Sequence, residues 1–165
     1  MHFSVQRDHV HMIVEAAGKQ ALGRGMKSVG ARLARAANRV FERSGPVLFG
    51  RYHLHVLRTP REVRNAIAYV LLNVRRHVRK RTGSAPPARI DAASSAAWFD
   101  GWKRSRAGTV RPPGRGPDGA TVTVPPATVP PASGASPVAR ARTWLLGSGW
   151  RRHGLIDPAE VPEAR

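Results

Sequence analysis

The stretch RTPREVRNAIAYVLLNVRRHVRK, residues 58–80, constrains this chain more than any other. Thr59 is placed to cap a helix, and Pro60 fits the first helical position, where no amide N–H is required. Glu62 stands at capping-box spacing from Thr59 and in the first turn. Val63, Ile67, Val70, Leu71, Val74 and Val78 recur at three- and four-residue steps, so one face is apolar and needs a core. The pattern predicts one helix over 58–80, with Arg and Lys crowding its C-terminal end as the helix dipole favours. Tyr69 falls off the apolar stripe, on the polar side with Glu62, Asn65 and Arg76. Asn73 follows four residues later, stacked on the same face of a continuous helix. A tyrosine there either packs its ring at a boundary and wets its hydroxyl, or turns toward chemistry.

Residues 2–16 read as a β-hairpin: HFSV, a turn at QRD, a second strand HVHMIVEA, and Gly18 closing it. Side chains two apart in a strand share a face. His9 and His11 therefore share one with Ile13 and Glu15, and Val10, Met12 and Val14 are expected to face the core. Over 20–43 the period becomes helical, with Leu22, Met26, Val29, Leu33, Ala36, Ala37 and Val40 in a stripe. Arg24, Lys27, Arg32, Arg35 and Arg39 lie mostly off it, on a face that is either simply solvated or tracks a phosphate backbone. SGP at 44–46 ends this helix, and PVLFGRYHLHVL at 46–57 reads as a strand with Gly50 as a candidate bulge. Strands and helices in this order predict an α+β fold.

After Thr82 the composition shifts. SSAAWFDGW at 94–102 is an aromatic patch able to dock on the domain. Residues 107–139 are Gly, Pro, Thr, Ser and Ala with almost no large apolar groups, the signature of a disordered linker. TWLLGSGWRRHGL at 143–155 is a short apolar-aromatic segment expected to return to a surface. The expected division is a domain over 1–83, an aromatic docking segment over 84–106, a disordered linker over 107–139 and a C-terminal segment over 140–165. No internal repeat is visible.

The charge points to a partner. There are 28 Lys+Arg against 10 Asp+Glu, a formal +18, and most of the cations are Arg. Neutralising phosphates releases counterions, and the guanidinium fork grips phosphate bidentately, so a polyanion such as nucleic acid is the natural match. A chain from a GC-rich genome would also be rich in Arg, Ala, Gly and Pro. With no cysteine, disulfide scaffolds and thiolate metal sites are excluded, which fits a reducing cytosol. No apolar run approaches the ~20 residues of a membrane span. MHFSVQRDHV lacks the basic-then-apolar order of a signal peptide. The expected location is the cytoplasm, associated with the nucleoid.

Two imidazoles on one strand face can hold one ion, although a His-x-His pair alone is also an ordinary surface feature. His53 and His55 in RYHLHVL make the same offer. Two His with an amide oxygen leave coordination positions open, as a catalytic ion needs, and a tyrosine beside them can be a nucleophile toward phosphorus.

HFSVQRDHVHMIVEA, GRYHLHVLRTPREVRNAIAYVLLN, SSAAWFDGW and RTWLLGSGWRRHGL together resemble the REP-associated tyrosine transposases. These are a branch of the insertion-sequence-200-like, single-tyrosine HUH nuclease superfamily. The likeness runs over most of the chain and is weakest at 107–139. It implies a ferredoxin-like antiparallel sheet with helices on one face. It also implies that His9 and His11 are the metal-binding pair, that Tyr69 is the nucleophile, and that Asn73 is a polar third ligand. His53 matches the family's RYH, whereas His55 has no catalytic counterpart, so this pair is expected to contact phosphate or lie on the surface. The implied cation is Mg²⁺ or Mn²⁺; imidazole ligands by themselves suit Mn²⁺ or Zn²⁺ better. The implied enzyme is a metal-dependent single-stranded DNA endonuclease and strand transferase of DNA transposition, working through a 5′-phosphotyrosine intermediate. Its partner would be single-stranded DNA bearing REP-like hairpins, with Arg24, Lys27, Arg35, Arg51, Arg58 and Arg76 as the candidate DNA contacts. Dimerisation is common among relatives, and a homodimer is one expectation.

Members of that family usually carry a strand and a helix before the segment equivalent to HFSV, and this sequence begins at Met1-His2. The resemblance therefore implies an N-terminally truncated sheet with a gap between the HVHMIV and PVLFGRYHLHV strands. Direct pairing of those strands, a second chain, or an upstream start would each fill it. The competing readings are a catalytically inactive, truncated DNA-binding remnant and a structural metal-binding domain.

Overall fold

The computed structural model describes residues 1–84, 90–103, 136 and 138–162. Among them the fold is α+β, with one two-stranded antiparallel sheet and four α-helices. In chain order these are β1 (His2–Val5), β2 (Val10–Ile13), α1 (Lys19–Val40), α2 (Pro60–Leu71), α3 (Asn73–Thr82) and α4 (Trp144–Gly147). Short 3₁₀ turns at Ser95–Trp98 and Gly149–His153 flank α4 in sequence. The chain divides into two compact units, Met1–Ile13 with Arg58–Arg165, and Val14–Leu57. No helix among the described residues is long and apolar enough to cross a membrane.

In the first unit, β1 and β2 pair with His2 opposite Ile13, Phe3 opposite Met12, Ser4 opposite His11 and Val5 opposite Val10. Residues directly opposite share a face, so His2, Ser4, His11 and Ile13 form one side of the hairpin. Ser4 is 1% exposed and Ile13 7%, so this is the covered side, and the hairpin packs on α2. The expectation that Val10, Met12 and Val14 face the core is corrected: Val10 and Met12 are only half-buried, and Val14 is exposed. Both strand faces carry apolar residues, so alternation alone could not tell which one α2 would cover. The free edge of β1 is partly taken by residues 93–95. Val5 N–H donates to Ala93 O at 2.8 Å, Phe3 N–H donates to Ser95 Oγ at 3.0 Å, and Ser4 bridges Ser94.

α2 begins as expected. Glu62 N–H donates to Thr59 Oγ1 at 3.2 Å, and Thr59 N–H donates back to Glu62 Oε2 at 3.1 Å, closing the capping box. The single helix expected over 58–80 is corrected. It breaks at Leu72 (φ −113°, ψ 15°), giving α2 and α3. Before the break the expected stripe holds, with Val63, Ile67, Val70 and Leu71 all buried. After it the phase changes: Leu72, Asn73 and Arg75 are buried, whereas Val74 is exposed and Val78 half-buried.

The aromatic segments are core. Trp150 is 1% exposed and Ile156 fully buried, joined by Phe99, Trp102 and Leu146. Phe99 stacks edge-on to Trp102 at 5.0 Å and tilted to Trp150 at 5.4 Å. Trp102 Nε1–H donates to Ala96 O at 2.9 Å, so its indole is buried without an unmet donor. Residues 101–103 and Ile156 exchange backbone bonds, Lys103 N–H to Ile156 O at 2.8 Å and Ile156 N–H to Gly101 O at 3.1 Å. The segment expected to return to a surface instead supplies the largest fully buried side chain, Trp150, and the described residues of 84–106 and 140–165 share a unit with the hairpin and α2. The expected linker at 107–139 lies outside the described residues except for Ser136, Val138 and Ala139.

In the second unit, α1 buries no residue completely. Leu22, Met26, Leu33 and Ala37 of its expected stripe are half-buried, whereas Val29, Ala36 and Val40 are exposed. The chain beyond it turns back through Asn38 Nδ2–H to Gly45 O at 2.9 Å and Arg43 to Pro46 O at 3.0 Å. The strand expected over 46–57 is corrected: these residues form none, and Leu48, Phe49, Tyr52, Leu54 and Val56 are exposed. Alternation marks a segment able to pair, but a strand needs a neighbour to satisfy its backbone groups. Gly50, at φ +71°, sits in this non-strand segment and is not a bulge.

Gly101 is the tightest point of the core, where an added Cβ would penetrate the rings of Trp150 and Phe99. Gly101→Ala is expected to lower stability by about 2 kcal/mol or more through overpacking. Gly147→Ala, with nothing within 4 Å of the new Cβ, should be neutral or stabilising; urea melts of both variants check this. Burial lowers the His2 pKa to about 4, with the α-amino charge adding to the effect and Asp100 opposing it. The unfolded chain then holds the extra proton between about pH 4 and 6.5, so stability should fall as pH drops through that window. His2→Gln should flatten the profile of unfolding free energy against pH.

Candidate active site

β2 and α2 bring three of the expected residues together. His9 ends the hairpin turn, where Gln6 N–H donates to its carbonyl at 2.8 Å, and His11 lies in β2 opposite Ser4. Their Nε2 atoms are 3.0 Å apart, and the rings meet edge to face at 4.6 Å. The His11 ring makes an edge contact with Tyr69 of α2 at 5.1 Å. This contact exists because the histidine face of the hairpin is the face that α2 covers. Tyr69 is half-buried, and Arg76 of α3 reaches back to it. The Arg76 guanidinium donates to Tyr69 Oη at 3.4 Å and lies 5.4 Å from the ring centroid.

The electrostatics favour the neutral form of His11. Partial burial pushes its pKa below the ordinary value, and its electrostatic interactions with His9, His77 and Arg76 push the same way. An imidazole that sheds its proton readily is competent to bind a cation. Asp8 accepts from His9 Nδ1 at 2.6 Å, and this bond holds its carboxyl below the usual range.

The donor set fits a divalent cation. Two nitrogens held about 2.1 Å from one ion at a right angle stand about 3.0 Å apart (√2 × 2.1), which is the separation found here. No group of three His, Cys, Asp or Glu side chains among the described residues is arranged to hold a metal, so two imidazoles would leave most positions open. Asn73 is fully buried, and neither atom of its side-chain amide has a hydrogen-bond partner among the described residues. A buried orphan amide is costly, and a ligand role would account for it. The break at Leu72 falls between Tyr69 and Asn73, so they are not stacked on one continuous helix as expected.

The expected DNA contacts are divided between the two units. Arg76 stands at Tyr69, and Arg58 is exposed just before α2. Arg24, Lys27 and Arg35, exposed on α1, belong to the second unit with Arg51. His53 and His55 are also exposed there, outside any strand. Sequence reasoning missed Asp8 and His77, whose ring centroid is 6.4 Å from that of His9. Asp8 was legible as the acid directly before the first histidine, and His77 as the histidine four residues after Asn73.

Replacing Asn73 by Leu removes a buried amide without a partner. Asn73→Leu should raise metal-free stability by about 1–2 kcal/mol and weaken Mn²⁺ binding. Chemical denaturation with and without Mn²⁺ checks both; a loss of metal-free stability would mean that the amide has a partner in the folded chain.

Set against known proteins, the chain matches no protein-family model, no curated protein and no solved structure.

Proposed function

We propose that this chain is a transposase-like, metal-dependent single-stranded DNA endonuclease and strand transferase, as its resemblance to the REP-associated tyrosine transposases implies. The observation that carries the reading is the convergence of His9, His11 and Tyr69 from the hairpin and α2, with Arg76 on the tyrosine oxygen. On this reading β1, β2 and α2 are part of a ferredoxin-like domain.

The chemistry follows from these side chains. His9 and His11 would hold a cation through Nε2, with Asn73 as the candidate third ligand. A bound Mg²⁺ or Mn²⁺ would supply charge neutralisation at the scissile phosphate. Tyr69 Oη gives up its proton to solvent and attacks phosphorus; the Tyr–O–P bond forms, and the P–O3′ bond breaks. The products are a 5′-phosphotyrosine and a strand ending in a 3′-OH once the leaving oxygen takes a proton. Arg76 donates to Tyr69 Oη, so a fixed positive charge stands where negative charge develops on the tyrosine and phosphoryl oxygens. A 3′-OH attacking the same phosphorus reverses the step and rejoins or transfers the strand. Arginines elsewhere, on α1 among them, supply salt-dependent affinity for the DNA backbone.

A second reading, a DNA-binding remnant without catalysis, is favoured by one observation: among the described residues the sheet has two strands, and the 46–57 segment forms none. Labelled hairpin-bearing single-stranded DNA incubated with Mn²⁺ or Mg²⁺ and run on a denaturing gel separates the two. A covalent adduct is expected, absent in Tyr69→Phe and His9→Ala and formed roughly 100-fold more slowly in Arg76→Ala. Salt-sensitive binding with no adduct in either metal would leave the remnant.

A further inference from the structure

The histidine pair raises a question of proton placement. A neutral imidazole has one N–H and one lone pair, and the free side chain does not fix which nitrogen carries which. Only the nitrogen with the lone pair can bind a cation. Between His9 and His11 the two Nε2 atoms face each other at 3.0 Å, so in the metal-free chain only one of them can carry the proton between them.

Asp8 resolves this. Its Oδ1 lies 2.6 Å from His9 Nδ1. An ionised carboxylate has no proton and only accepts, so the proton of that bond belongs to Nδ1. With Nδ1 protonated, neutral His9 presents the Nε2 lone pair, and His11 Nε2–H must be the donor across the pair. Side-chain exposure is 42% for His9 and 82% for Asp8. A pair this exposed adds little to stability, so its consequence is the direction in which His9 points its lone pair. The alternation that puts His9 and His11 on one face thus supplies only half of the geometry; the preceding acid supplies the other half.

We propose that Asp8 is a positioning residue for the histidine pair: its carboxylate holds the His9 proton on Nδ1 and so presents Nε2, turned toward His11, to a divalent cation. The proposal rests on the reading of His9 and His11 as cation ligands. A carboxylate behind a ligating imidazole fixes its tautomer and ring orientation and raises its basicity, and removing such a group typically costs 10–100-fold in metal affinity. His11 must move its proton off Nε2 when the cation binds.

Long-range ¹H–¹⁵N NMR of the full, metal-free chain at neutral pH reads the tautomers directly, without DNA or turnover. His9 is expected as the Nδ1–H form and His11 as the Nε2–H form. Asp8→Ala should release His9 toward the Nε2–H form and lower Mn²⁺ affinity, measured by titration calorimetry, by roughly 10–100-fold. Asp8→Asn keeps an accepting oxygen at the same place, so it should retain the Nδ1–H form and recover part of the affinity. An Nε2–H form of His9 in the unaltered chain would overturn the proposal, as would an Asp8→Ala variant with unchanged tautomer and affinity. A merely structural role for Asp8 would instead lower stability and leave both readouts where they were. Failure of the DNA adduct with the tautomers as expected would count against the nuclease reading alone.

Discussion

Everything at the candidate site depends on α2 having two kinds of neighbour. Val63, Ile67, Val70 and Leu71 must be buried, and α2 packs on the hairpin as well as on α4 and the turn that carries Trp150. The hairpin offers it the face with His2, Ser4, His11 and Ile13. One packing event therefore buries Ile13 and sets the His11 ring beside Tyr69. A one-residue slip in the register of β2 would send His11 and Ile13 together to the other side, so core and site are specified by the same register.

The C-terminal residues hold this arrangement from the other side. Arg64 of α2 makes a bidentate pair with Glu160, with its second bond at 2.7 Å, and Glu160 raises the Arg64 pKa. Arg75, 4% exposed, donates to Ala159 O at 2.9 Å and Glu160 O at 3.3 Å. Burial lowers the Arg75 pKa and Asp157 works against that. A guanidinium buried as Arg75 is would be expensive without partners, and the backbone carbonyls of 159 and 160 accept from two of its nitrogens. The same segment begins at Ile156, fully buried beside Trp102. The two arginines lie on either side of the Leu72 break, so the C-terminal segment fixes how α2 leads into α3.

How much of this was legible depends on whether local chemistry or distant packing decided each feature. The capping box at Thr59 and Glu62 is a contact three residues long, and it formed as read. The hairpin was also local, and the common face of His9 and His11 followed from its period. Which face would be covered was not local, because α2 made that choice. The break at Leu72 was invisible for the same reason: Val74 and Val78 continue the apolar spacing, but Asn73 and Arg75 are buried in their place, Arg75 against residues 159 and 160. The 46–57 segment has the alternation of a strand, yet among the described residues it forms none. Trp150 and Ile156 were hardest to place, since a short apolar segment far along the chain carries no sign of what it will pack on.

The break at Leu72 also shapes the chemistry. In an unbroken helix Asn73 would stand one turn above Tyr69, between it and the next turn. Side chains on a helix lean toward its N-terminus, so a long residue two turns on reaches back over the one below. With Asn73 drawn into the interior, Arg76 is the side chain that meets the tyrosine oxygen. The site then holds one permanent cation at Tyr69 and an imidazole, His11, whose neutral form is favoured by burial and by its interactions with His9, His77 and Arg76. For the proposed nuclease, a protonated His11 could not bind a metal, and a neutral residue at 76 would leave charge on the tyrosine and phosphoryl oxygens unmet. On that proposal a neutral imidazole and a fixed cation, both against the same phenol ring, would divide the labour between a divalent ion and a phosphate diester.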